Sequence, residues 1–186
     1  MTTIGFIRHG ITAWNKEGRE QGRLDIPLHQ EGILAAQQLA QRLAMEQWDA
    51  IFTSPLARAQ QTAEIIAQQY GNMPLRIDER LCEIGTGLIE GTTEQERIAK
   101  WGVHWRNLEL SIEPEQEIIT RCQSFLDDVK RNFPTERILL VSHGDLLQRL
   151  FQLLGYSLPR VHNTSLTIIE QTKSENKLLL FNCMEH

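Results

Sequence analysis

Apolar residues along the chain follow two spacings. Short, nearly unbroken apolar runs at residues 4–7, 49–53, 75–77 and 137–141 predict strands. Runs without a polar alternation suit strands buried on both faces, as in a parallel sheet. Over residues 30–44, Ile33, Ala36, Leu39, Ala40 and Leu43 recur at helical spacing, with Gln and Arg between them. Ser54-Pro55 predicts another helix start, a capping residue followed by proline at the first helical position. Leu56, Ala59, Ala63, Ile66, Ala67 and Tyr70 continue one face of that helix, and Gly71-Asn72 closes it. Further helices are predicted over 115–132 and over 145–154, the latter stopped by Gly155. Residues 166–169 and 178–181, joined by the polar TKSENK, predict a terminal antiparallel hairpin. Strands alternating with helices in this way predict an α/β fold: a three-layer α/β/α sandwich with a mostly parallel mixed sheet.

One stretch breaks the alternation. Residues 84–114 hold Gly85, Gly87, Gly91 and Gly102 together with Trp101 and Trp105. The two tryptophans argue for order, and long excursions in compact domains commonly carry function. The expectation is a lid-like excursion with one short helix, inside a single domain spanning residues 1–186. A chain of 186 residues is long enough to bury a core without staples.

The net charge of −5 gives no basic footprint for nucleic acid or for an anionic membrane. Any bound anion must therefore be held by a few placed cations. Cys82, Cys122 and Cys183 lie far apart and lack metal-ligand spacing, so they read as reduced thiols. The opening MTTIGFIRHG lacks a signal-peptide pattern, and no apolar run approaches the ~18 residues of a membrane helix. These features predict a cytoplasmic protein.

The chemistry starts from a repeated ending. FIRHG at residues 6–10 and LVSHG at 140–144 each finish an apolar strand with His-Gly. Ligands of open α/β sheets bind outside the carboxyl ends of strands, so His9 and His143 could converge on one crevice. Gly10 and Gly144 would allow tight turns and close approach of a ligand. Arg8 adjoins the first histidine, and Arg58 falls in the first turn of the helix after Ser54-Pro55. A cation at a helix N-terminus is unfavourable unless an anion is also present. Two arginines beside two strand-end histidines read as a phosphoryl clamp, each charge-assisted hydrogen bond contributing about 1.5–3 kcal/mol.

With these residues in place, the chain resembles the histidine phosphatase superfamily, the phosphoglycerate mutase-like group with an Arg-His-Gly motif. The resemblance runs through IRHGITAWN at 7–15, QGRLDIPLHQEG at 21–32, FTSPLARAQQTA at 52–63, LCEIGTGLIEG at 81–91, VSHGDLL at 141–147 and NTS at 163–165. It implies that His9 is the nucleophile, forming a phosphohistidine, and that His143 with Arg8 and Arg58 stabilises the transferring phosphoryl group. Glu83 would protonate the leaving alcohol and then activate water, its carboxyl kept protonated by the bound phosphate dianion. Asn15 and Gln21 match positions of further phosphate contacts. The partner implied is a small-molecule phosphomonoester, with no cofactor and no metal, because arginines supply the positive charge. His29, His104 and His162 are expected at the surface or in a cap. Trp14 is expected beside the site, and Trp48 in the core.

The family also contains a phosphoglycerate mutase, whose long insertion after the acid carries a Tyr and several basic residues. Only 31 residues separate Glu83 from Glu115, and none is Tyr, which favours hydrolysis. Lys100, Arg97 and Arg106 keep phosphoglycerate mutase-type transfer as an alternative. A pathway-specific phosphatase, such as one for α-ribazole phosphate, is another. The family's usual Gly-x-Trp-Glu-Gly has Ile89 in place of Trp, and its Gly-Gly-Glu-Ser before the next helix is at best Glu115-Gln116-Glu117-Ile118. Trp101, Trp105, Leu108, Leu110 and Ile112 suggest an apolar lid, and with it a preference for compact alkyl or aryl esters. A metallohydrolase using His9, His143 and Glu83 as ligands is opposed by Arg8 and Arg58, which would repel the cation. A scaffold with a dead site is opposed by the presence of every catalytic position.

Overall fold

The apolar run after Met1 forms strand β1 (Thr2–Arg8), and alternate residues of it enter two different cores. Ile4 and Phe6 face one side of the sheet, Ile7 the other. The same division holds for Ile138 and Leu140 against Leu139 and Val141 on β4 (Arg137–Ser142), and for Ala50 and Phe52 against Ile51 on β2 (Ala50–Thr53). Strands buried on both faces need no polar alternation, which is why the pattern ran unbroken.

The structure, a computed structural model, describes every residue except Asn72, Lys173 and His186. The expected helix stop at Asn72 and part of the TKSENK turn therefore lie outside the described residues. The sheet has the order β3-β2-β4-β1-β5-β6, with β3 (Leu75–Ile77), β5 (Leu166–Gln171) and β6 (Asn176–Cys183) completing it. The first four pair in parallel, whereas β5 runs antiparallel to both β1 and β6. Helices α2 (Gln30–Leu43) and α3 (Ala57–Ala67) cover one face. The other is covered by α5 (Glu115–Asn132) and α6 (Gly144–Leu153). Each fully buried Leu, Ile or Phe of these layers contributes about 1.5–3 kcal/mol.

Two expectations need correction, and one helix was not foreseen. The helix after Ser54-Pro55 starts at Ala57, with Leu56 at its N-cap and no side-chain cap. The Ala57 N–H instead donates to Asp25 Oδ1 at 2.6 Å, so an acid from another loop replaces the local cap. A short helix, α1 (Ala13–Glu17), is unannounced by hydrophobic spacing, since none of its residues is buried; a Thr12–Asn15 capping box starts it. Gly10 does not make room for a ligand. A Cβ there would stand 2.7 Å from the Gly32 carbonyl oxygen, so the glycine lets the loop after β1 lie against the start of α2.

Residues 84–114 contain the expected short helix, α4 (Glu94–Trp101). Their apolar side chains do not face the cavity described below. Ile89, Trp105 and Leu110 form a small core of their own with Trp101 against it, while Leu108 and Ile112 are about half exposed. Trp105 lies between the guanidiniums of Arg97 and Arg106, 4.9 and 4.2 Å from its ring centroid. The apolar side chains of an irregular segment were free to bury one another, and did so. That removes the ground for expecting alkyl or aryl esters to be preferred.

Candidate active site

The register of two neighbouring strands places the histidines. β1 and β4 pair in parallel with Arg8 opposite Ser142, so the chain leaves both strands together and His9 and His143 follow side by side. Their ring centroids are 5.2 Å apart. Both side chains are essentially buried.

His9 Nδ1 lies 2.7 Å from the Gly10 carbonyl oxygen. A carbonyl can only accept, so Nδ1 carries the hydrogen and Nε2 keeps its lone pair. Burial first, then the Arg58 and Arg8 guanidiniums, hold the His9 pKa well below the usual imidazole value. The ring is therefore neutral at pH 7, as a nucleophile must be. His143 is shifted in the same direction by burial, Arg58, His9 and Arg8.

Arg58 is 1% exposed. Its two terminal nitrogens donate to the carbonyl oxygens of Leu24 and Gly22, both at 2.8 Å. Arg8 Nη1 donates to the Val161 carbonyl at 2.9 Å. The Nε–H groups of both arginines are buried without a partner, and neither arginine is ion-paired among the described residues. Burial, and then the charge of Arg160, lower the Arg8 pKa to about 10, still well above neutrality. A buried and a partly buried cation, both with donors to spare, constitute an anion site.

Glu83 sits at the start of α6. Its Oε1 accepts from the N–H groups of Ile84 at 2.9 Å and Leu146 at 3.0 Å, and its Oε2 from Asp145 at 3.3 Å. Those donors favour the carboxylate, but burial and the nearby Asp145 charge win, raising the pKa to about 7. The carboxyl can thus hold a proton near neutrality before any phosphate arrives.

A cavity of about 430 Å³ collects these groups: Arg8, His9, Asn15, Gln21, Arg58 and Glu83 line it, with Trp14 at its side as expected. His143 is fully buried and packs beside the His9 ring. Asn15 Oδ1 accepts from the Thr12 N–H at 3.0 Å, leaving the amide NH₂ for the cavity. Gln21 Oε1 is tied to Thr12 Oγ1 at 3.0 Å. His29 caps α2 by accepting from the Glu31 N–H at 3.3 Å; His104 and His162 are exposed, and Trp48 is buried. Among the described residues, no group of three or more His, Cys, Asp or Glu is arranged to hold a metal ion, and no helix is long and apolar enough to cross a membrane.

The sequence did not mark four contributors as site residues. Asn163 Nδ2 donates to the His9 carbonyl at 2.9 Å, and Thr62 Oγ1 accepts from the Gly10 N–H at 3.0 Å. Arg160 lines the cavity and pairs with Asp145 at 3.1 Å. Ser54 Oγ lies 2.8 Å from His143 Nε2. Arg160 carried no signal, being a lone arginine in a loop. Asn163, Thr62 and Ser54 lay inside motifs already noticed.

Known proteins resemble the chain over most of its length. An uncharacterized phosphatase, PhoE of Bacillus subtilis (strain 168), is 32% identical over 166 residues, covering 89% of this chain and 84% of that protein. A probable phosphoglycerate mutase, GpmB of Yersinia pestis (strain Pestoides F), is 35% identical over 192 residues, covering 94% and 87%. The structure of a mycobacterial glucosyl-3-phosphoglycerate phosphatase in complex with VO3 superimposes with a TM-score of 0.87 at 26% identity, over 97% of this chain and 98% of that one. The sequence profile of the histidine phosphatase superfamily (branch 1) matches residues 4–184. The chain therefore belongs to the histidine phosphatase superfamily, branch 1.

Proposed function

We propose that the protein is a metal-independent phosphomonoester hydrolase acting through a phosphohistidine on His9, within one domain spanning residues 1–186. The observation that carries this reading is the pairing of a neutral His9, its Nε2 lone pair free, with the buried Arg58 and the partly buried Arg8, which lack carboxylate partners among the described residues. The phosphate dianion accepts from Arg8, Arg58, Asn15 and His143. His9 Nε2 attacks phosphorus, and the ester P–O bond breaks as Glu83 gives its proton to the leaving alcohol. Glu83, now ionised, takes a proton from water, the hydroxide displaces His9 from phosphorus, and inorganic phosphate leaves. The substrates are small phosphorylated metabolites, and the site operates in the cytoplasm.

Hydrolysis is favoured over mutase transfer by what the excursion contributes. Among the described residues, 84–114 supply a single cation to the cavity, Arg97, and that side chain is packed under Trp105 and bonded to the Thr92 carbonyl at 2.8 Å. Little there could retain a released hydroxy acid for rephosphorylation.

A phosphomonoester panel run on wild type and His9→Ala, with and without EDTA, tests the reading. His9→Ala is expected to lose on the order of 10³-fold or more in kcat/KM on every ester. EDTA is expected to change nothing, and 3-phosphoglycerate to yield free phosphate rather than 2-phosphoglycerate. Chelator-sensitive activity, an active His9→Ala protein, or isomerisation as the main outcome contradicts it.

A further inference from the structure

The sequence places Ser54 only at a helix start, yet the side chain is fully buried and its Oγ is 2.8 Å from His143 Nε2. The Leu56 N–H donates to the same oxygen at 3.2 Å. A hydroxyl has one hydrogen to give, and the Leu56 bond uses the oxygen as acceptor. The hydroxyl hydrogen then has two acceptors in reach, the Cys82 sulfur and His143 Nε2, and the imidazole nitrogen is much the stronger of the two.

The neutral His143 ring then has its lone pair on Nε2 and its hydrogen on Nδ1. Nδ1 is buried and has no partner among the described residues. A buried N–H left unpaired is unfavourable, and a ligand acceptor resolves it. We propose that Ser54 is a positioning residue that locks His143 in the Nδ1–H tautomer, so that Nδ1–H donates to a phosphoryl oxygen held over His9. This rests on the phosphohistidine reading of the site. The paired rings then present opposite poles: a lone pair from His9, whose Nδ1–H is tied to Gly10, and an N–H from His143, whose Nε2 is tied to Ser54.

Nitrogen-15 NMR of the wild-type imidazoles reads the tautomer directly, with Ser54→Ala, Ser54→Thr and His143→Ala alongside. His143 is expected to be protonated at Nδ1 in wild type and in Ser54→Thr, and to move toward the Nε2–H form in Ser54→Ala. Loss of the aimed donor is expected to lower kcat on the order of 10²-fold in Ser54→Ala, with KM little changed. Ser54→Thr is expected to retain most of the rate. Ser54→Ala placed on His143→Ala is expected to cost nothing further, because Ser54 acts through that ring. An Nε2–H tautomer in wild type, or losses that multiply in the double variant, overturns the proposal. If Ser54→Ala does not fold, the wild-type and Ser54→Thr spectra decide it. Trapping the phosphoenzyme in the same samples separates the two claims. A wrong tautomer beside a normal His9 adduct defeats this inference alone, and a missing adduct beside the expected tautomer defeats the phosphohistidine reading alone.

Discussion

Glu83 shows how burial can override a favourable set of donors. Three backbone N–H groups address its carboxylate, and its pKa still rises to about 7. For an ester with a poor leaving group, kcat/KM is expected to fall above about pH 7, as the general acid loses its proton. Glu83→Gln is expected to lower that rate by about 10²–10⁴-fold and to abolish this alkaline limb. The limb set by the substrate's own phosphate, near pH 6, is expected to remain. Stability follows the same proton. A raised carboxyl pKa means that the folded state binds more protons than the unfolded one between about pH 4.5 and 7, so that contribution is lost as pH rises through about 7. Glu83→Gln is therefore expected to raise the melting temperature at pH 8 more than at pH 5. A wild-type profile flat through pH 7, together with an active Glu83→Gln, contradicts this role.

The segment carrying that acid is held by a neighbouring helix. From α5, Arg121 donates to the carbonyl oxygens of Arg80 at 2.8 Å and Cys82 at 2.7 Å, and pairs with the partly buried Glu113 at 2.8 Å. Glu113 in turn accepts from the Gly85 N–H at 3.0 Å, so the chain is tied on both sides of Glu83. Arg121→Met leaves Glu113 with only Arg23, at 3.1 Å, as a cation and the two carbonyl oxygens without this donor, and is expected to cost about 1.5–3 kcal/mol by urea denaturation. It is also expected to lower kcat more than KM, and unchanged stability and rate would contradict the tether. Arg121 illustrates where sequence reading stops: a long side chain reaching across tertiary space leaves no periodic trace. The buried strands and the helices with one apolar face were legible because burial itself creates the pattern. Helix α1 was not, since it buries nothing and owes its start to a side-chain cap. The start of α3 was misplaced because its free N–H is satisfied by Asp25, which is distant in sequence.

At the scale of the molecule, the site follows from one strand pairing. Setting β1 beside β4 brings two His-Gly endings together, and α3 carries Arg58 to the same mouth. An acidic chain thereby concentrates uncompensated positive charge at a single place. The strand ends and their histidines were legible because apolar runs stop there. The polarity of the outer cavity was not, because the aromatic residues of 84–114 could equally have faced inward. The central claim is a covalent bond between phosphorus and His9, and rapid-quench labelling with a ³²P-phosphomonoester tests it most directly. The expected result is an acid-labile, base-stable adduct that maps to His9, forms no more slowly than turnover and is absent from His9→Ala. A wild-type enzyme that turns over without such an adduct, or an adduct that survives in His9→Ala, would contradict it.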